Sequence, residues 1–127
     1  TMPTKTELVM VELQSLLQLE DVLACMLAKK GLGGVVPVNQ KIKNVNLFKL
    51  ILDTTNDLFD TIGKFYDYKL ERLNMDLAEY TIILAPVSRE MGLVVVIPSL
   101  ANLGLLDIEI ENTKRKILQI LSSPEHN

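Results

Sequence analysis

Asp53, Asp57 and Asp60 come nearest to a reactive constellation in this chain. At i, i+4 and i+7 they fall on one side of a helix. Three carboxylates so placed could offer oxygen ligands to a hard cation, or two of them could work as an acid/base pair. Two features argue for a plainer role: Lys49 and Lys64 flank the cluster, and no histidine stands beside it. Charged helix faces are usually solvated ones, so the sequence predicts neither a metal nor a catalytic carboxylate here. A solvated face can still receive a partner. Lys49, Asp53, Asn56, Asp57, Asp60 and Lys64 alternate in sign and form a candidate partner-binding surface.

The other chemically suggestive residues also read as structural. Gly31-Leu32-Gly33-Gly34 invites comparison with a phosphate-cradling loop. Such a loop needs Lys and then Ser or Thr after its glycines, with a helix opening there. Here Val35-Val36 follow and extend the chain. Cys25 sits in the apolar run VLACMLAK and reads as a small buried hydrophobe. His126 lies in the tail with no fixed partner to make it a base. Ser88 and Ser99 are turn residues with no triad to join. No catalytic residue, metal ligand or cofactor is expected, and the protein reads as non-enzymatic.

The elements that must carry these residues follow from periodicity and punctuation. Pro3 to about Leu17 reads as a helix, with Thr4 and Glu7 at capping-box spacing and Val9, Leu13, Leu16 and Leu17 on one face. Val22 to Lys29 and Leu32 to about Val38 read as strands joined by a Gly-containing turn, a hairpin signal. Pro37 cannot donate a ladder bond, so the second strand should be an edge or end there. Leu47 to about Ile62 is the clearest amphipathic helix, capped by Asn44 or Asn46 and closed by Gly63. Its apolar arc is Leu47, Phe48, Ile51, Leu52, Leu58, Phe59 and Ile62, opposite the charged face.

Tyr68 to Met75 is a third strand of weak hydrophobicity, Tyr80 to Val87 a strong fourth, and Leu93 to Ile97 a fifth, buried on both faces. Strand period competes with helix period over Leu106, Ile108 and Ile110. No breaker interrupts Leu105 to Leu121, and acidic residues precede basic ones, as the helix dipole favours. The segment is therefore read as a last helix, with Asn102 as its N-cap. The order is α-β-β-α-β-β-β-α, an α+β class with antiparallel pairing and helices on the sheet faces.

A chain of 127 residues is one domain, spanning 1–127 with a core from about 7 to 121 and a tail, 122–127, expected to fray. Hydrophobic residues make up 48% of it and the mean hydropathy is +0.24, high enough to suggest a partner or oligomer interface. No apolar run approaches a membrane span, and Thr1 to Lys5 leads straight into a polar-patterned helix rather than a secretory signal. The net charge is −3 with the signs interspersed, which argues against nucleic acid as a partner. One cysteine allows no internal disulfide and fits a reducing, cytoplasmic setting.

The stretch VVVIPSLANLGLLDIEIE, Val94 to Glu111, followed by a helical basic segment, resembles the end of a roadblock (dynein light chain type) domain. As a pattern of elements the resemblance runs from about Glu7 to Leu121. It implies a five-stranded antiparallel sheet with one helix on one face and two on the other. It implies a dimer joined through the third strands, which in this chain places Leu70, Arg72, Leu73 and Met75 at the interface. It further implies a regulator or scaffold of a Ras-like small GTPase. The alternative it leaves is a structural adaptor in a motor, trafficking or cytoskeletal assembly without direct GTPase contact. Arg72 and Arg89 could then act as arginine fingers, but Arg72 alternates on a strand and Arg89 is an ordinary turn residue. The Pro37 strand and its short loop to the second helix depart from the family pattern.

Overall fold

The computed structural model describes residues 2–31, 33–38 and 40–124. Helix α1, Lys5–Leu17, opens on the expected capping box: the Thr4 hydroxyl accepts the Glu7 N–H at 3.1 Å, and the Glu7 carboxylate accepts the Thr4 N–H at 3.0 Å. These bonds hold the Glu7 carboxyl below the usual carboxylate range. Strands β1 (Ala24–Lys29) and β2 (Gly34–Val35) follow, then helix α2 (Val45–Phe65). Strands β3 (Leu73–Asp76), β4 (Tyr80–Ser88) and β5 (Met91–Pro98) precede helix α3 (Leu103–Ser122). At the start of α3 the Asn102 carboxamide accepts the Gly104 N–H at 2.9 Å, so helix period prevails over the competing alternation.

The five strands form one antiparallel sheet in the order β2-β1-β5-β4-β3. Its centre is the apolar run that reads as doubly buried. Along β1, β4 and β5 alternate side chains enter two separate cores. Cys25, Leu27, Ile83, Val95 and Ile97 pack with Leu13 of α1 and Ile110 and Ile117 of α3. Met26, Ile82, Leu84, Val94 and Val96 pack beneath Ile51, Phe59 and Ile62 of α2. One helix covers one face and two cover the other, as the resemblance implies.

Several boundaries differ from expectation by a residue or two, and four differences matter more. β2 is two residues long rather than running from Leu32 to Val38, because Pro37 has no donor and the side chain of Gln40 takes over the ladder beyond Val35. β3 begins at Leu73 rather than Tyr68. A 3-10 turn over Tyr66–Tyr68 and a left-handed Lys69 (φ 65°) use the intervening residues, so Leu70 and Arg72 precede the strand. α2 passes through Gly63 instead of stopping there. Its last turn is held by Arg89 of the β4–β5 turn, which donates to the Gly63 carbonyl at 3.0 Å, pairs with Asp67 and lies 5.3 Å from the Tyr66 ring centre. Ser122, expected in the frayed tail, is the last residue of α3.

Candidate functional site

The two surfaces singled out from the sequence lie side by side. One is the outer face of α2 and the other is the free edge at β3. α2 starts where Asn44 caps it, its carboxamide accepting the Leu47 N–H at 3.0 Å. Its apolar arc is absorbed by the sheet, with Phe59 only 1% exposed. The rotation this fixes leaves Lys49, Asp53, Asn56, Asp57, Asp60 and Lys64 all exposed. Asp60 meets Lys30 at 3.4 Å, and Asn56 accepts the Gly31 N–H of the β1–β2 turn at 3.0 Å. Among the described residues Asp53 and Asp57 form no ion pair, and no three His, Cys, Asp or Glu side chains converge as a metal site would require.

At the sheet edge, β3 pairs with β4 on one side alone. Between β3 and α2 lies an apolar cleft of about 270 Å³, lined by Leu47, Leu50, Thr54, Leu73, Met75 and Leu77 among others. Leu73 and Met75 were anticipated at this edge. Leu50 was not: it stands 60% exposed on the flank of α2, between the arc that packs and the face that is charged. The signal available for it was helical phase, which leaves this leucine outside both sets. Leu70 is half-buried against the core beneath α2.

Both arginines are engaged within the chain. Arg72 points across the edge to α3, where it binds the Asp107 carboxylate, the Asp107 carbonyl at 3.4 Å and Glu111 at 3.0 Å. Burial works against its charge, but the hydrogen bonds it donates to Glu111 and Asp107 outweigh this and hold the guanidinium above its ordinary value. Burial likewise favours the neutral Glu111, yet Arg72 and Lys114 together pull its carboxyl below the usual range. Arg89 is committed to the end of α2.

The remaining candidates with described positions are held by hydrogen bonds. Burial pushes the Cys25 thiol up to about 12, and it donates to the Leu13 carbonyl at 3.3 Å. The Ser99 hydroxyl donates to the Ala78 carbonyl at 3.1 Å, and that of Ser88 accepts the Glu90 N–H at 3.3 Å. His126 lies outside the described residues, as does Leu32 of the glycine cluster. Among the described residues no helix is long and apolar enough to cross a membrane.

No protein-family model matches the chain, and no curated protein matches it. Solved structures do. MglB of Myxococcus xanthus superposes with a TM-score of 0.73 at 14% identity, over 89% of this chain and 94% of that one. A Roadblock/LC7 domain from Streptomyces avermitilis gives 0.68 at 10% identity, over 90% and 98%. MglC of Myxococcus xanthus gives 0.62 at 15% identity, over 86% and 95%. At such identities the likeness is one of fold, and the fold is roadblock-like.

Proposed function

We propose that this chain, roadblock-like in fold, is a non-enzymatic regulator or scaffold that dimerises through β3 and receives a Ras-like small GTPase on the outer face of α2. The observation that carries the reading is the adjacency of an exposed charged helix face and an open sheet edge flanked by an apolar cleft. An unpaired strand beside apolar side chains is a template for another strand. A second copy related by a two-fold axis would pair β3 with β3 and cover Leu73, Met75 and the Leu50 cleft, with Leu70 and Arg72 just behind. The two α2 helices would then lie side by side, their charges outward on one platform. Interspersed charge suits a reversible, electrostatically steered contact. The lone, buried Cys25 suits a reducing, cytoplasmic setting.

The test is the double reversal Asp53→Lys with Asp57→Lys. Both side chains face water, so fold and dimer should survive. Association with a cognate Ras-like GTPase, followed at low salt in both nucleotide states, should slow at least tenfold. Unchanged kinetics would move the docking face elsewhere. The adaptor reading has one observation in its favour: Leu105 and Ile108 stand exposed on α3, across the sheet from α2.

A further inference from the structure

The two edges of the sheet are finished differently. On the outer side of β1, Leu27 pairs with Val35. Beyond that point β2 has ended, and Gln40 replaces it. Its carboxamide oxygen accepts the Cys25 N–H at 3.0 Å, while its nitrogen donates to the Cys25 carbonyl at 3.0 Å and to the Pro37 carbonyl at 2.8 Å. One acceptor and one donor are thus presented to a single residue, as the backbone of a partner strand would present them. The N–H groups of Lys41 and Ile42 then take the Leu23 carbonyl at 2.8 and 3.0 Å. The short β2 is fitted just as closely: a Cβ on Gly34, whose φ is +128°, would come within 2.3 Å of the Leu27 carbonyl oxygen. Among the described residues nothing comparable reaches the outer side of β3.

We propose that Gln40 ends the β1–β2 ladder: its carboxamide occupies the place of a neighbouring strand along β1 beyond the two residues of β2, so this side offers a second copy no continuous edge and the copy adds at β3. The inference rests on the dimer reading above and deepens it. A chain with two open edges can join head to tail without closing, whereas one open edge permits only a two-fold pair. Gln40 is then the residue that makes the assembly stop at two.

Gln40→Met keeps the side chain's length and removes both hydrogen-bonding groups. It is measured by light scattering and sedimentation velocity across concentration in two backgrounds, native and Leu50→Asp, the latter setting like charges together in the cleft at the two-fold. Gln40→Glu, which keeps the acceptor and removes the donor, is the milder variant if the methionine does not fold by circular dichroism. The expected result is concentration-dependent species larger than the dimer in the native background, and dimers where Leu50→Asp alone is monomeric. Amide exchange at Cys25, read in the Leu50→Asp background at a dilution where the chain is monomeric, should quicken at least tenfold. Folded Gln40 variants that keep their parents' size in both backgrounds would overturn the inference, as would unchanged Cys25 exchange. A native chain that is itself monomeric would sink the dimer reading. The inference about Gln40 would then stand or fall on whether Gln40→Met converts that monomer to a dimer.

Discussion

Leu50→Ala separates the proposed interface from the fold. The substitution removes three carbons from a side chain that is 60% exposed in the single copy. At about 0.8 kcal/mol per buried methylene, newly covering that fraction in a dimer is worth about 1.4 kcal/mol for the carbons removed. The two-fold doubles this to about 3 kcal/mol, which is about a hundredfold in the dissociation constant. The portion already packed against the cleft costs the single copy only about 1 kcal/mol by the same measure. Sedimentation equilibrium gives the first quantity, and urea unfolding of dilute protein gives the second. A dissociation constant moved by less than threefold, with the fold intact, would refute the placement of Leu50 at a subunit seam. A variant that unfolds before it dissociates would refute the claim that the cleft is finished by a second copy.

Phe59→Ala should behave in the opposite way, destabilising the single copy by about 3–5 kcal/mol because the ring is fully enclosed beneath α2; urea unfolding would show it. Glu111 carries a lowered pKa in the folded state, so its contribution is complete above the unfolded value of about 4.5 and is lost as pH falls through the folded one. Melting temperature measured between about pH 6 and pH 3 should therefore fall less steeply in Arg72→Met, which removes one of the two cations responsible. Crystals soaked in calcium or magnesium should show no ion at Asp53, Asp57 and Asp60; an ordered ion with oxygen ligands at about 2.0–2.6 Å would overturn the solvated-face reading.

Most of the architecture was legible because it rests on local pattern. α2 announces itself by an apolar arc opposite charge, and its six outward residues were placed correctly by helical phase alone. β4 and β5 are apolar runs of strand length, and they lie where a doubly buried centre belongs. The late start of β3 is local, set by the turn over Tyr66–Tyr68 and the left-handed Lys69, but others come from contacts between residues far apart in sequence. Gly63 is a sound stop signal until Arg89, 26 residues later, donates to its carbonyl and the helix runs on. The ladder that β2 was expected to form is supplied by a side chain that meets Cys25 from 15 residues away. Arg72 alternates like a strand residue, yet its position is set by Asp107 and Glu111 on α3. Leu50 was missed for a different reason: it lies at the border of the amphipathic stripe, where periodicity assigns a residue to neither side.

The fastening of α2 bears on how it would meet a partner. The helix is tied at its first turn by Asn44, at mid-length by Asn56 to the Gly31 amide, and at its last turn by Arg89, while Phe59 and Ile62 seat it on the strands. A bar fixed at three points has little backbone freedom left to surrender. A protein that lands on it loses its own translational and rotational freedom, but meets charges whose spacing is already set. Recognition would therefore behave as a rigid fit on this side, with adjustment left to the visitor. Amide exchange along α2 should change little when the partner arrives.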